Sequence, residues 1–126
     1  MLLRIESVRV QTEYTRARLA LTGYLPEGEA RRSAAKLEKD HKNPLAGVWS
    51  LIVRAALDVP RAAALYEQAL ALAEQGGLRA TAASLRLRIG ELRGDAALVS
   101  AGEGELASLG VRNAKRMTAL LAPMRR

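Results

Sequence analysis

The chain has 126 residues, 49% of them hydrophobic and 26% charged, which suits a single globular domain with its own core. It contains no cysteine, which excludes disulfides, thiolate metal sites and cysteine nucleophiles and fits a reducing compartment. The formal net charge of +7 admits nucleic acid as a partner, but arginine-rich usage also follows genome composition, so charge alone does not decide the question.

The residue types predict an all-α fold. Alanine, leucine and arginine are abundant, whereas the chain has one tryptophan, three tyrosines and no phenylalanine. The abundant residues favour helices, and the scarce ones favour strands. We expect antiparallel helical hairpins in an α-solenoid of about six or seven helices. We expect one domain over residues 1–126, with a long N-terminal helix at 1–25 and the solenoid helices at 43–122.

The first helix is predicted over residues 3–24, where one side recurs at steps of three and four: Leu3, Ser7, Val10, Tyr14, Ala17, Leu21 and Tyr24. Apolar residues on another side make this helix a candidate homo-oligomer contact: Ile5, Val8 and Leu19. Pro26 begins a second, more polar helix that reaches about residue 41. No stretch approaches the roughly 20 apolar residues of a membrane span, so we expect a cytoplasmic protein with no membrane partner.

The middle of the chain has clear helix boundaries. Asn43 and Pro44 are a capping residue and a first helical residue. The helix that they open is apolar nearly all round and is expected at the centre of the core, with Val48, Trp49, Leu51, Ile52, Val53 and Leu57. Asp58 and Pro60 are expected to start the next helix, over residues 61–75, which Gly76 ends together with the following glycine.

Three further helices follow. The first, over residues 78–93, is expected to turn inward Leu78, Ala82, Leu85, Ile89 and Leu92. Asp95 caps the next, which reaches about residue 109; Gly102 and Gly104 weaken it by roughly 1 kcal/mol each, and either admit a close neighbour or break the helix. Gly110 predicts a left-handed stop. Asn113 caps a short last helix, a lid on the preceding hairpin, with a face of Ala114, Met117, Leu120 and Leu121.

No group of residues in the sequence predicts catalysis. His41 is the only histidine and is interpreted as a solvated residue at a helix end. Glu103 and Glu105 are two residues apart on a helix and therefore point away from each other. Ser84 and Ser100 have neither a nucleophile elbow nor a histidine base. We expect no enzyme activity, no catalytic or metal-binding residue and no cofactor.

Two basic groups are candidates for partner binding: Arg79, Arg86 and Arg93, which form a ridge at seven-residue steps, and Lys115 and Arg116 in the first turn of the last helix. The ridge is expected to be solvated or to form ion pairs with carboxylates such as Glu67 and Glu74. Contact with a protein or with phosphates is the less favoured interpretation. Nucleic acid is not favoured, because no aromatic residues are interleaved for stacking and no helix-turn-helix pattern is present.

One segment carries the spacing of a helical repeat. In "AAALYEQALALAEQ", Ala62, Tyr66 and Ala69 follow the small–aromatic–small pattern of the second helix in a tetratricopeptide repeat (TPR), and Trp49 stands near the large-aromatic position of the first. We therefore expect the solenoid to be TPR-like, with TPR-like helices at 43–122. With "NPLAGVWSLIVRAAL", "AAALYEQALALAEQGGLRATAASLRLRIGELRGD" and "LGVRNAKRMTALLAP", residues 43–124 resemble the C-terminal helical region of large bacterial signalling proteins. In that family a serine/threonine kinase domain or a signal-transduction ATPase precedes degenerate TPR-like repeats.

The hairpin pattern and the resemblance together predict a non-enzymatic protein–protein interaction module in a bacterial signalling or regulatory system. Its groove between successive hairpins would hold a peptide or helix of a partner, with the exposed faces of the second and fourth helices as further contacts. No phosphate loop, kinase catalytic loop or Asp-Phe-Gly sequence is present, so no catalytic residue of that family transfers. The alternatives are a basic nucleic-acid-associated accessory protein and a regulatory fragment of a serine/threonine kinase-type enzyme.

Overall fold

The computed structural model describes residues 2–39 and 43–124, and the side chains of residues 10–26, 28–39, 43 and 45–124. This part of the chain forms seven α-helices and no strand: α1 (Leu2–Leu21), α2 (Glu27–Glu38), α3 (Pro44–Leu57), α4 (Ala62–Gln75), α5 (Arg79–Arg93), α6 (Ala96–Ser108) and α7 (Ala114–Leu121). The all-α prediction is confirmed. No helix of the described residues combines the length and the apolar character that a bilayer crossing requires. His41 lies outside the described residues.

Three of the predicted helix starts are confirmed. The side chains of Asn43, Asp95 and Asn113 each accept a main-chain hydrogen bond of 3.0 or 3.1 Å from the first turn of their helix. Such a bond satisfies an N–H group that has no partner within the helix. The predicted range of α4, residues 61–75, is confirmed to within one residue, although a 3-10 turn, Val59–Arg61, comes first and the Asp58 side chain makes no capping bond.

Each helix packs against the next along the chain, and in addition α1 packs against α3 and α5 against α7. Because the connections are short, helices that follow each other along the chain run antiparallel. The predicted central place of α3 is confirmed, since it packs on α1, α2 and α4 and buries Val48, Trp49, Ile52 and Val53. Within the described residues α2 and α4 do not pack against each other, although both pack against α3.

Three residues that the sequence places on one side of a helix with core residues are exposed, and one of them, Leu92, was predicted to face inward. Tyr24 is 76% exposed because α1 ends at Leu21, before the left-handed Gly23; Leu92 is 39% and Leu120 51% exposed. The sequence predicted one buried side for α5, but α4, α6 and α7 cover this helix from several sides. Helix α5 therefore also buries Thr81, Ala83, Ser84 and Leu87.

Glycine lets α5 and α6 come unusually close. A Cβ atom added at Gly102 would lie 2.7 Å from the main-chain oxygen of Ala83, and one added at Gly90 would lie 2.7 Å from Cγ2 of Val99. Gly104 has nothing within 4 Å. The close-neighbour interpretation of Gly102 is therefore confirmed, and α6 continues through both of its glycines. The left-handed stop predicted after α6 is also confirmed, with a φ of 87° at Gly110.

Candidate functional site

An open cavity lies where α2 and α4 separate over α3, and we name it the α2–α4 cleft. It has a volume of about 310 Å³ and is lined by Arg31 and Ala34 of α2, Arg54 and Leu57 of α3, Asp58 and Arg61 of the turn, and Leu65 of α4. The opening exists because both flanking helices pack on α3 but not on each other in the described part of the chain.

The floor of the cleft is apolar and held in place. Ala34 is buried, and Leu57 and Leu65 are partly buried. The Ser50 hydroxyl donates a hydrogen bond of 3.0 Å to the main-chain oxygen of Ala34, which ties α2 to α3 directly behind the floor. The floor therefore belongs to the packed core and is not a mobile loop surface.

The rim of the cleft is charged. It contains the guanidinium groups of Arg31, Arg54 and Arg61 and the carboxylate of Asp58. Arg54 pairs with Glu38, and the Nε atom of Arg61 lies 3.9 Å from a carboxylate oxygen of Asp58. The Arg54 and Arg61 side chains are 42% and 80% exposed, and pairs as exposed as these contribute about 0–1 kcal/mol. A ligand carboxylate can replace such a pair at little free-energy cost.

A second feature involves residues 121–124, which we name the C-terminal segment. Its seat is the set of side chains that bind it. The Tyr14 hydroxyl donates a hydrogen bond of 2.6 Å to the main-chain oxygen of Leu121, and Nε of Arg88 donates one of 2.8 Å to that of Ala122. The Tyr66 hydroxyl lies 2.8 Å from the sulfur atom of Met124. Side chains of α1, α4 and α5 thus bind this segment together.

Burial dominates the electrostatics of this seat. The Tyr14 ring stacks on Trp49 with centroids 4.2 Å apart and planes 5° from parallel. Burial raises the pKa of Tyr14 well above its usual range, against the opposing effect of the Arg18 charge. Burial likewise raises the pKa of Tyr66 to about 12, although the Arg88 charge lowers it. Both hydroxyls remain protonated donors at neutral pH.

Three buried polar atoms around the C-terminal segment have no hydrogen-bond partner among the described residues: Trp49 Nε1, Ser84 Oγ and Thr118 Oγ1. Ser84 is one helical turn from Arg88, and Thr118 is one turn from Ala122. Each unsatisfied group costs about 1–3 kcal/mol. The chain itself fills this seat, whereas the α2–α4 cleft is open. Further openings lie beside α1, at about 410 Å³ with Arg16 and Leu19, and between α4, α5 and α6, at about 160 Å³ with Arg79, Arg86 and Glu105.

The predicted arginine ridge is largely neutralised. Arg86 pairs with Glu74 of α4 and makes hydrogen bonds of 2.8 Å to both carboxylate oxygens of Glu105 on α6. Arg93 pairs with Glu67 at 2.5 Å. The predicted pairing of the ridge with Glu67 and Glu74 is confirmed. Glu105 therefore has an ion-pairing role.

The other predicted partner-binding residues are exposed: Arg79, Lys115 and Arg116. Lys115 and Arg116 lie in the first turn of α7, as the sequence indicates. Arg79 lines an opening with Arg86 and Glu105, and none of the three lines the α2–α4 cleft. Their role in partner binding stays a prediction.

The sequence analysis missed the cleft residues and Arg88. Arg31, Arg54 and Arg61 stand on different elements, and no spacing relates them along the chain. The sequence offered one signal for the cleft. The apolar side of α3 ends at Leu57, with Arg54 before it and Arg61 after it. Only the separation of α2 from α4 brings these residues to one opening.

Comparison with known proteins adds no relative: no protein-family model matches the chain, and searches of curated proteins and of solved structures return no match. The fold and the cleft define an all-helical protein with an arginine-rimmed opening between two of its helices. Among the described residues no group of His, Cys, Asp or Glu side chains is arranged to hold a metal ion. The resemblance to the helical region of bacterial signalling proteins stays a prediction.

Proposed function

We propose that this chain is a non-enzymatic helical-repeat module that binds a peptide or helix of a partner protein, in a bacterial signalling or regulatory system of the cytoplasm. The observation that carries the proposal is the α2–α4 cleft. It combines an apolar floor with charged groups at its rim, which is the composition of a groove for a protein segment.

The packing of the helices supports a TPR-like arrangement within this proposal. In a regular stack of hairpins, the first helices of successive hairpins pack on one another, as α1 does on α3 and α5 on α7. The repeat residues Ala62, Tyr66 and Ala69 are all fully buried. The irregular step is between α3 and α5, which do not pack directly in the described part of the chain. The C-terminal segment contacts α1, α4 and α5 there.

The ion pairs of α5 favour a protein partner over nucleic acid. Arg86 and Arg93 already pair with carboxylates of the same chain. A phosphate backbone would have to displace these carboxylates, whereas strong nucleic-acid binding relies on cations that are available to phosphates. The cleft offers, in addition, an apolar floor that a phosphate cannot use.

The test is selection from a random peptide library displayed on phage, with the full chain as bait. We expect related peptides to be enriched, and the enrichment to be lost when the cleft is altered by Arg54→Glu and Arg61→Glu together. Arg112→Glu is the matched control, since it reverses an exposed charge in the connection before α7. Circular dichroism verifies that each variant stays helical. Enrichment of no peptide, with binding of an oligonucleotide that weakens steeply with salt, would overturn the proposal.

A further inference from the structure

We propose that the seat of the C-terminal segment is a peptide-recognition site that the chain occupies itself. An apolar, proline-containing segment of a partner protein replaces residues 121–124 there, so the C-terminal segment is an autoinhibitory contact. This inference goes beyond the proposed function, because it concerns a second site and requires no occupant of the α2–α4 cleft. It follows from the hydrogen bonds of the seat, from the proline of the segment and from a buried donor that the segment leaves unused.

The seat binds the main chain of the segment. The Tyr14 hydroxyl donates to the main-chain oxygen of Leu121, and Nε of Arg88 donates to that of Ala122. Every residue of a peptide carries such an oxygen, so these two bonds do not require this particular sequence. The seat therefore suits other segments that follow the same path.

The seat is held in place by contacts that do not involve the C-terminal segment. Its helices are joined without α7, since α1 packs on α3, α3 on α4 and α4 on α5. The Tyr14 ring stacks on Trp49 of α3, and Arg88 pairs with Glu91 on its own helix. A site that is formed in advance binds a second peptide without a large ordering cost.

The C-terminal segment has the chemistry of a proline-containing peptide ligand. Pro123 is buried and has no N–H group, so no main-chain donor is left without a partner at this position. Proline also disfavours the helical conformation of the residue before it, and Ala122 has left the helix with φ −136° and ψ 69°. Grooves for proline-containing segments are lined by aromatic residues, which Tyr14, Trp49 and Tyr66 supply here.

The present occupant leaves a donor beside the seat unused. Trp49, whose ring stacks on Tyr14, is 9% exposed, and its Nε1 atom has no hydrogen-bond partner among the described residues. An indole N–H can only donate, so it requires an acceptor. A partner segment that places a main-chain oxygen against this nitrogen makes one hydrogen bond more than the chain's own segment. That gain lets it compete with an occupant that is favoured by its covalent attachment.

The experiment uses the full chain and a synthetic peptide, TALLAPMRR, with the sequence of residues 118–126. Ala122 is fully buried, so Ala122→Lys should drive the chain's own segment out of the seat. Ala119→Lys is the matched control, because Ala119 is an exposed alanine of the same helix. Trp49 is the only tryptophan of the chain, and its fluorescence reports whether the seat is occupied.

We expect the peptide to bind the Ala122→Lys chain at least about tenfold more tightly than the native or the Ala119→Lys chain, where the chain's own segment competes. Emission of Trp49 should shift to longer wavelength in Ala122→Lys and return when the peptide is added. Peptides with lysine in place of Ala122, or alanine in place of Pro123, should bind about threefold or more weakly. A random peptide library selected on the Ala122→Lys chain should yield proline-containing peptides that TALLAPMRR displaces.

Equal affinity of TALLAPMRR for the native and the Ala122→Lys chains, or no binding to either, would overturn the inference. Loss of the helical circular-dichroism signal in Ala122→Lys would overturn it too, because the segment would then be an integral part of the core. A native dimer that the peptide dissociates would make a second copy the occupant, and the partner class would be wrong. None of these outcomes involves the α2–α4 cleft, so the proposed function is tested separately.

Discussion

The Tyr14 hydroxyl donates a hydrogen bond of 2.6 Å to the main-chain oxygen of Leu121, and so joins α1 to the last residue of α7, 107 positions further along the chain. The last carbonyls of a helix have no partner within it, and α7, with eight residues, is too short to be stable alone. Arg18 adds a contact of 3.5 Å to the oxygen of Leu120. Side chains of the first helix thus cap the last carbonyl groups of α7.

Replacing Tyr14 with phenylalanine should lower the free energy of unfolding by about 1–2 kcal/mol, because the partly buried oxygen of Leu121 loses its donor while the ring packing is kept. Urea unfolding measures the change. Tyr24→Phe is the matched control, since that side chain is 76% exposed, and it should leave the stability unchanged within about 0.5 kcal/mol. Equal effects of the two variants would show that the bond to Leu121 contributes nothing.

Alanine substitutions at the two glycines of α6 should have opposite effects. At Gly102 a Cβ atom would lie 2.7 Å from the main-chain oxygen of Ala83, so alanine forces α5 and α6 apart and should cost about 1–3 kcal/mol. At Gly104 nothing lies within 4 Å, so alanine should raise stability by about 0.5–1 kcal/mol through helix propensity. Thermal and urea unfolding of both variants test this. A gain at both positions would contradict the close approach of the helices.

The two paired arginines of the ridge should differ in their contribution. Arg86 is 22% exposed and bridges carboxylates of α4 and α6, so Arg86→Met should lower the free energy of unfolding by about 1–2 kcal/mol. Arg93 is 49% exposed and pairs with one carboxylate, and Arg93→Met should cost less than about 0.5 kcal/mol. Urea unfolding at low and high salt measures both changes. The loss at Arg86 should shrink at high salt, and equal losses at both positions would rule out the bridge.

Alkaline pH should destabilise the fold through its buried tyrosines. A phenol is neutral when protonated, and the pKa of Tyr66 rises from about 10 in the unfolded chain to about 12 in the fold. The contribution of the buried Tyr66 hydroxyl to the free energy of unfolding is fully present below about pH 10. Between about pH 10 and about pH 12 the free energy of unfolding falls by about 1.4 kcal/mol per pH unit, because the unfolded chain releases the phenol proton first.

Stability measured from about pH 9 to about pH 12 should therefore fall less steeply in Tyr66→Phe than in the native chain. The pKa of Tyr14 is raised in the same direction, so Tyr14→Phe should also flatten the curve. Lysine ionisation is common to all these proteins and cancels in the comparison. Identical slopes in all three would contradict the burial of the two hydroxyls.

Local sequence determined the helices and most of their ends. A capping side chain bonds to its own first turn, and a left-handed glycine needs only its own backbone, so Asn43, Asp95, Asn113 and Gly110 could be assigned from near neighbours. The start of α4 was predicted to within one residue, but the 3-10 turn Val59–Arg61 before it was not. Short 3-10 turns are frequent at helix starts, and assigned helix ends vary by one or two residues.

Tertiary structure decided which faces are covered and what lies between the helices. Helical periodicity marks an apolar side but does not say how many neighbours share it, so the burial of α5 by three other helices and the exposure of Leu120 could not be predicted. The bond from Tyr14 to Leu121 and the gathering of Arg54 and Arg61 at one opening depend on distances between residues far apart in sequence. The sequence by itself determined an all-helical chain, because helix formation is governed by interactions within a few residues. Only packing decided its closure and its cleft, because those depend on how whole helices fit together.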